Sequence, residues 1–361
     1  MKINFINLQA QYQSYKEDID REIHAVLDSS QYIMGPNITS LEEDLSNFVG
    51  CKHSIGCSSG TDALILALMA IDIKPGDEVI TTPFTFIATA EAIAFLGGVP
   101  IFVDVDENTY NMDVYKVEKK ITEKTIAIMP VSLFGQVCDM DYLNKLASKH
   151  NIYVIEDAAQ SFGASYRGKR SCNLSTLACT SFFPAKPLGC YGDGGAVFSS
   201  DDRLARKIRI ILDHGQTKKY THSHIGINGR LDAIQASILR VKLKNYQEEL
   251  DIREKVASRY KKELKNVIVP FVPDENTSVW AQFCIRVDNR EAFLQKCMDK
   301  GVPTPIYYPI PLHLQEVFLT LGYKKGDFPI CEKVSQDILA LPMSAFLTND
   351  EQSYVIGVIN E

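Results

Sequence analysis

The chain has 361 residues, of which 45% are hydrophobic and 23% charged, with a formal net charge of -7 at pH 7. The acidic balance argues against nonspecific binding to nucleic acid or to anionic membrane surfaces, and no apolar run approaches the roughly 18 residues of a membrane span. The nine cysteines are scattered without a Cys-x-x-Cys pair, and the N-terminus lacks a signal-peptide pattern, so we expect reduced thiols and a cytoplasmic enzyme.

The length allows one large domain of about 250 residues and a smaller one, because a single core stops growing near that size. We predict a large α/β domain over residues 1–245 and a small α+β domain over residues 246–361, where the strand–helix alternation ends.

Two helices are predicted before the first strand. The first covers about residues 11–28 and presents Ile19, Ile23 and Val26 on one face. The second runs from Ser40 to Phe48 and begins with a sequence typical of a capping box.

The first stretch with chemical content follows the predicted strand Ser54–Cys57. The turn Ser58-Ser59-Gly60-Thr61-Asp62 opens a strongly apolar helix that runs to Ala70. Free backbone N–H groups and hydroxyls at a helix N-terminus bind phosphate. Ser59 or Thr61 would serve equally well as an ordinary N-cap, so both interpretations stay open.

Strands over about residues 77–82, 99–104, 125–130 and 153–157 alternate with helices over 87–95 and 140–149. This alternation is typical of a doubly wound α/β sheet, in which ligands sit at the carboxyl ends of the strands. Ser59, Phe86, Asp157 and Lys186 all fall at or just past strand ends. We therefore expect these four residues to share one site.

Lys186 lies where an apolar strand enters the glycine-rich turn of residues 180–195. Burial on one side would lower its pKa toward a nucleophilic, Schiff-base-forming state, although a surface lysine at a strand end also fits the local sequence. Asp157 could be a helix N-cap, or it could keep a pyridinium nitrogen protonated.

The second half of the chain has a different pattern. After a helix over 202–212 comes the polar loop 213–224, in which His222 and His224 lack further metal ligands at suitable spacing. We predict a solvated loop and no metal site. A long helix from Ala233 to about Leu264 would bridge the two domains, with its later half solvated.

The predicted small domain has a strand over 279–287 and a helix over 290–300. The proline-rich stretch 303–311 favours an extended segment. Final helices are expected over about 330–340 and 350–359.

Five motifs taken together resemble the DegT/StrS family of nucleotide-sugar aminotransferases over nearly the whole chain. They are Ser58–Thr61, Phe84–Phe86, Glu156–Gln160, Ser181–Lys186 and Asn228–Arg230. The resemblance implies a pyridoxal-phosphate (PLP) enzyme of fold type I, like aspartate aminotransferase, with a mostly parallel central sheet. The sequence of the turn around Lys186 is similar to that of the family branch that aminates the 3-keto carbon of the sugar.

The resemblance also implies roles at the cofactor. Lys186 would form the Schiff base and move the proton, Asp157 would pair with the pyridine nitrogen, and Gln160 would bond the ring hydroxyl. Phe86 would stack on the ring. The phosphate would be held by Ser59, Gly60, Thr61 and Ser181 of one subunit and by Asn228 of its neighbour, which implies a homodimer with shared active sites.

Substrate contacts are implied for His214, Tyr220, Arg230, Tyr307, Tyr308 and His313. Related sequences often have a histidine where this chain has Tyr307. The implied reaction moves the amino group of L-glutamate to a UDP-linked 2-acetamido-3-keto hexose or hexuronate, for lipopolysaccharide, O-antigen or lipid A synthesis.

Three alternatives are weighed against this function. A dTDP-3-keto-6-deoxyhexose is the main alternative substrate. A dehydratase of the same family has histidine in place of the Schiff-base lysine, so the presence of Lys186 argues against it. A binding or regulatory role without catalysis would be indicated by loss of Lys186, Asp157 or the phosphate-binding residues, all of which are present.

Overall fold

Strands and helices alternate through the first half of the chain, which confirms the predicted α/β class. The computed structural model describes residues 3–361. Its helices are α1 (Leu8–Ser29), α2 (Pro36–Val49), α3 (Gly60–Ala70), α4 (Ala88–Phe95), α5 (Met140–His150), α6 (Asp202–Ile211), α7 (Ala233–Lys244), α8 (Tyr246–Glu263), α9 (Arg290–Asp299), α10 (Pro329–Asp337) and α11 (Asn349–Asn360). Its strands are β1 (His53–Cys57), β2 (Glu78–Thr81), β3 (Val99–Phe102), β4 (Thr125–Ile128), β5 (Tyr153–Asp157), β6 (Ser165–Tyr166), β7 (Lys169–Arg170), β8 (Leu177–Ser181), β9 (Gly195–Ser199), β10 (Gln216–Lys218), β11 (Thr221–His222), β12 (Asn276–Thr277), β13 (Phe283–Arg286) and β14 (Ile338–Leu341).

The central sheet has seven strands in the order β1-β9-β8-β5-β4-β2-β3. Strand β9 pairs antiparallel with β1 and β8, whereas the other neighbouring pairs are parallel. The prediction of a mostly parallel sheet is therefore confirmed. The carboxyl ends of β1, β2, β4, β5 and β8 all point to one edge.

Helices cover both faces of this sheet because successive strand side chains point to opposite sides. On β5, Ile155 packs in the core with α3, α4 and α6, whereas Val154 packs with α5. Helix α3 is apolar all round, as buried helices are, and residues 63–68 and 70 are all buried. This packing fixes the N-terminus of α3 beside the carboxyl ends of the central strands.

The second helix begins earlier than predicted. Helix α2 starts at Pro36 with Gly35 as N-cap, so Ser40 lies inside the helix and makes no capping box. Proline at the first helical position explains this start, because its fixed φ suits a helix and its missing N–H is not needed there.

The long bridging helix is also interrupted. Asn245, with φ -103° and ψ 2°, separates α7 from α8, and its side-chain amide donates to the Val241 carbonyl oxygen at 3.2 Å. The later half is not simply solvated, because Tyr246 and Tyr260 are buried on its inner face. The helix break coincides with the predicted domain boundary, which itself stays a prediction.

The C-terminal part pairs β13 with β14 in an antiparallel ladder, with Phe283 opposite Leu341 and Arg286 opposite Ile338. Residues 338–340 were predicted to be helical, but α10 ends at Asp337. The fully buried Ile338–Leu341 side chains fit the strand better, since they pack with β13 in the core.

The polar loop after α6 contains a short irregular hairpin of β10 and β11, which the sequence pattern did not reveal. All nine cysteines are free and buried. Within residues 3–361, no helix has both the length and the apolar character needed to span a membrane.

Candidate active site

A cavity of about 590 Å³ opens at the carboxyl ends of the central strands. The C-terminal part closes one side of it with Gln282 and residues 306–308. Ten of the predicted site residues line this cavity: Ser59, Gly60, Thr61, Phe86, Asp157, Gln160, Ser181, Lys186, Tyr307 and Tyr308. Residues more than 200 positions apart in the sequence therefore meet in one place.

Asp157 ends β5, and its carboxylate faces the cavity. Oδ2 accepts a hydrogen bond from Thr89 Oγ1 at 2.7 Å, and Oδ1 accepts one from the Ala159 N–H at 3.2 Å. Burial raises the pKa of this carboxyl, while these two donors and the charge of Lys186 oppose the rise. A buried carboxylate held at a fixed angle is suited to binding a protonated ring nitrogen.

The preceding residue, Glu156, points to the opposite face of the same strand. Its Oε1 accepts from the hydroxyls of Ser132 and Ser171, each at 2.7 Å, and its Oε2 accepts from the Cys172 N–H at 2.9 Å. Three donors from separate segments make Glu156 a buried structural link. Strand alternation thus gives two adjacent acids different surroundings.

Lys186 follows β8 in a tight turn. Its backbone N–H donates to the Phe183 carbonyl oxygen at 2.8 Å, and its side chain reaches the cavity. Burial lowers the pKa of the amine, and the nearby Asp157 charge partly offsets this. A larger fraction of the amine is then neutral, and only the neutral form can act as a nucleophile or accept a proton.

The N-terminus of α3 faces the same cavity. Ser59 is the N-cap, because its Oγ accepts from the Asp62 N–H at 3.0 Å. The N–H groups of Gly60 and Thr61 lie in the first turn, where a helix offers no internal acceptor. The ordinary cap and the phosphate site are therefore compatible interpretations.

Two glycines let this helix terminus approach the sheet closely. A Cβ at Gly60 would lie 2.6 Å from the Ser181 Cβ, and one at Gly195 would lie 2.4 Å from the Ser59 carbonyl oxygen. Neither space accepts a side chain. The absence of side chains leaves the backbone N–H groups accessible beside the Ser181 hydroxyl.

Gln160 links the two sides of the cavity. Its Oε1 accepts from the Phe134 N–H at 2.8 Å, and its Nε2 donates to the Tyr308 hydroxyl at 3.0 Å. Burial raises the pKa of Tyr308. Phe86 remains 56% exposed at the cavity, so its ring offers a face for stacking.

The other predicted site residues are not at this cavity in the single chain. His214, Tyr220 and Asn228 are exposed, and Arg230 donates from Nη1 to the Asp213 carboxylate. We refer to residues 213–230 as the outer segment.

His313 does not face the cavity, contrary to the prediction. It is fully buried, with Nε2 3.1 Å from Glu332 Oε1 and its ring against Phe328. The apolar core around α10 holds it there, and it does not line the cavity.

The outer segment has no metal-binding geometry. His222 contacts the His214 carbonyl oxygen and His224 contacts the Ser223 hydroxyl. In the part of the chain that the structure describes, no three His, Cys, Asp or Glu residues are grouped to hold a metal ion.

Sequence reasoning missed Ile6, Thr89 and Gln282, which also line the cavity. Thr89 lies one helical turn after Phe86, and that spacing could have placed it near the site. Gln282 directly precedes β13, and its buried Oε1 has no partner within residues 3–361. Nothing in the sequence near Ile6 indicates a binding function.

The cavity has the groups that pyridoxal phosphate requires. Lys186 supplies an amine for its aldehyde, Asp157 an acid for its ring nitrogen, and Phe86 an apolar surface for its ring. The Gly60 and Thr61 N–H groups at the start of α3, beside the Ser181 hydroxyl, suit its phosphate. The described residues therefore fit this cofactor.

Curated relatives match this chain along almost its full length. The chain is 52% identical over 347 residues to the UDP-2-acetamido-2-deoxy-3-oxo-D-glucuronate aminotransferase of Pseudomonas aeruginosa, covering 96% of each chain. It is 39% identical to the dTDP-3-amino-3,6-dideoxy-α-D-galactopyranose transaminase of Aneurinibacillus thermoaerophilus, covering 99% of each.

Solved structures agree with this likeness. DesV of Streptomyces venezuelae, in complex with a ketimine intermediate, superposes with a TM-score of 0.97 at 35% identity, covering 99% of this chain and 98% of that one. NtdA of Bacillus subtilis, with bound pyridoxamine phosphate, gives a TM-score of 0.92 at 31% identity, covering 99% and 84%. The model of the DegT/DnrJ/EryC1/StrS aminotransferase family matches residues 13–360, and the chain therefore belongs to this aminotransferase family.

Proposed function

We propose that this enzyme uses pyridoxal phosphate to transfer the amino group of L-glutamate to the 3-keto carbon of a UDP-linked 2-acetamido sugar, either a hexose or a hexuronate. The observation that carries the proposal is the meeting of Lys186, Asp157 and the α3 N-terminus in one cavity. The 52% identity to an aminotransferase of a UDP-linked 3-oxo glucuronate supports the choice of sugar.

The bound cofactor supplies a ring that withdraws electrons from the carbon bearing the amino group, which makes the hydrogen on that carbon acidic. Lys186 has two tasks beside it. Its lowered pKa leaves more of the amine neutral, so Lys186 would hold the cofactor through its aldehyde and would move a proton to or from the substrate carbon. Asp157, whose carboxylate Thr89 and Ala159 orient, would keep the ring nitrogen protonated.

Other residues hold the cofactor while Lys186 is not bound to it. The Gly60 and Thr61 N–H groups and the Ser181 hydroxyl would bind the phosphate at the positive end of α3. Phe86 would cover one face of the ring and exclude water from it. Gln160, held by its bond with the Phe134 N–H, would hydrogen-bond the ring hydroxyl.

The sugar occupies the side of the cavity formed by Tyr307, Tyr308 and Gln282. The family resemblance implies a histidine where this chain has Tyr307, which packs against Phe5 with ring centroids 6.1 Å apart. A phenol at this position offers one donor and an apolar face to the substrate. A dTDP-linked 3-keto-6-deoxyhexose is the alternative substrate, supported by the 39% identical dTDP-sugar relative.

The working enzyme is a homodimer with shared active sites, in which Asn228, Arg230 and the loop from His214 to Tyr220 act at the partner's cavity. Tyr220 and Ile225 support this, because they are 82% and 87% exposed and large exposed apolar side chains favour an interface. Nine free, buried cysteines fit a reducing cytoplasm. The amino sugar would feed lipopolysaccharide or another surface polysaccharide.

The test is a glutamate-driven assay on purified, cofactor-loaded protein. UDP-2-acetamido-3-keto-glucose, its glucuronate form and a dTDP-3-keto-6-deoxyhexose are compared, each made in place, with 2-oxoglutarate release and amino-sugar formation as readouts. We expect amination of a UDP substrate. Amination of the dTDP sugar alone would overturn the substrate, and absence of both a cofactor absorbance band and transfer from glutamate would overturn the function.

A further inference from the structure

Helix α7 contacts the base of the turn that carries Lys186. We call residues 182–195 the lysine turn. Lys242 Nζ donates to the Gly189 carbonyl oxygen at 2.6 Å, and Gln235 Oε1 accepts from the Tyr191 N–H at 2.9 Å. Gln235 and Lys242 are seven positions apart and so lie on the same helix face.

Lys242 is unusual because it is only 1% exposed and its Nζ donates to a backbone carbonyl oxygen. Its Nζ lies 4.1 Å from the centre of the Tyr191 ring. Burial lowers its pKa to about 8, against the attraction of Glu249 and Cys190. An apolar side chain would normally stabilise such a site better than a buried amine does.

The carboxylate whose charge attracts Lys242 belongs to another network. Glu249 of α8 accepts from Gln11 Nε2 at 3.0 Å and from the Tyr15 hydroxyl at 3.0 Å, both on α1. These bonds occupy the Glu249 carboxylate. The short, direct bond of Lys242 is the one to the lysine turn.

The residue that Lys242 contacts is close to Lys186 in the chain, because Gly189 lies three positions after Lys186 in the same turn. The Cys190 N–H donates to the Phe182 carbonyl oxygen at 2.8 Å, which closes the turn at its base. A Cβ at Gly189 would lie 2.6 Å from the Pro184 carbonyl oxygen, so the two limbs of the turn are in contact. Fixing the Gly189 carbonyl therefore fixes the limb that leads to Lys186.

We propose that Lys242, together with Gln235, is a positioning residue that holds residues 189–191 and thereby sets where the Lys186 amine stands in the cavity. The role of Lys186 rests on the proposed function, whereas the contact with the turn does not. The base of the turn is fixed so that the lysine can leave the cofactor and return to the same place. A displacement of about 1 Å at a reacting group costs roughly a hundredfold in rate.

The test replaces Lys242 by methionine, which keeps the length of the side chain and removes the donor. Lys244→Met, on the exposed side of the same helix, is the matched control. Amide hydrogen exchange is measured by mass spectrometry on the full chain, without and with pyridoxal phosphate. We expect exchange in residues 182–195 to be about tenfold faster in Lys242→Met and unchanged elsewhere.

In the loaded enzyme we expect kcat to fall about tenfold or more while the KM for glutamate stays within about twofold. Gln235→Leu, which removes the other contact, should accelerate exchange in the same peptide. Lys242→Met with unchanged exchange in the lysine turn, or with faster exchange spread over the whole chain, would overturn the proposal.

The two failures are distinguishable. If borohydride reduction traps no cofactor on Lys186 of the parent protein, the proposed function fails, yet the exchange data still decide the role of Lys242. If the cofactor is trapped and kcat is unchanged in Lys242→Met, the positioning proposal fails while the function stands.

Discussion

The lysine turn and the outer segment both carry predicted site residues, but they are built differently. The lysine turn closes on itself through the Cys190–Phe182 bond and is held by α7. The outer segment carries a short irregular hairpin whose Tyr220 is 82% exposed. The lysine turn makes its contacts within one chain, so its geometry does not depend on a partner. The outer segment leaves aromatic and polar side chains exposed, which suits it to bind another molecule.

The largest effect is expected in the lysine turn itself. Lys186→Ala should reduce glutamate-driven transfer by at least roughly 10⁴-fold, because Lys186 is the one lysine that lines the cavity within residues 3–361. Turnover is measured with thermal unfolding as a check on the fold. Lys169→Ala, on the exposed hairpin strand β7, is the control and should keep full activity. Measurable transfer by Lys186→Ala would remove this residue from the mechanism.

The next effect separates the two adjacent acids of β5. Asp157→Asn should keep bound cofactor but slow turnover roughly a hundredfold or more, because the ring nitrogen loses its protonating partner. Glu156→Gln should instead lower the free energy of unfolding by about 1–3 kcal/mol with little change in kcat, since its three donors lose a carboxylate. Steady-state rates and urea unfolding of both variants test this. Near-normal turnover of Asp157→Asn would contradict the assignment.

A complementation experiment tests the outer segment directly. If Asn228 acts at the partner's cavity, as proposed, mixed dimers of Lys186→Ala and Asn228→Ala subunits should contain one intact site. Random reassociation of equal amounts should restore about a quarter of the parent activity. Each variant alone serves as the control. An inactive mixture, in which mixed dimers are shown by mass spectrometry, would show that the outer segment does not act across the dimer.

The smallest expected effect is on the pH dependence of the free energy of unfolding. Lys242 has a pKa of about 8 in the folded protein, lowered by burial from 10.5, so the unfolded state binds more protons between these values and stability rises with pH. Lys242→Met lacks this dependence. Between pH 7.5 and 9.5, the parent should gain about 2 kcal/mol of unfolding free energy relative to that variant.

Urea unfolding of cofactor-free protein at fixed concentration measures this difference. The groups that face Lys242 are Glu249 from α8, and Cys190 and Tyr191 from the lysine turn; their own pKa values are all raised. Equal pH dependence in the two proteins would mean that Lys242 titrates normally.

The sequence predicted the central sheet well because strand–helix alternation depends on local hydrophobic pattern. It also put Ser59, Asp157 and Lys186 at strand ends, which is enough to bring them together when the strands are parallel. It did not predict the start of α2, the break at Asn245 or the strand over residues 338–341. These depend on a cap, a local side-chain bond and a pairing with β13, which hydrophobic periodicity does not encode.

The same limit applies within the site. Lys186 is visible as a lysine in a glycine-rich turn, but its contact with Lys242 depends on the approach of α7. His313 was expected at the sugar because of its place after Tyr308, yet the core around α10 buries it. Contacts between distant segments decide both outcomes.

The close approach at Gly60 and Gly195 has a practical consequence for mutational scanning. With less than 3 Å available for a Cβ at either position, even the methyl group of alanine would force the helix terminus away from the sheet. A saturation library should therefore retain glycine alone at both positions when it is selected for cofactor retention, while the exposed position Lys169 on β7, which does not line the cavity, should tolerate many residues. Directed evolution toward a new sugar is better aimed at the opposite wall of the cavity.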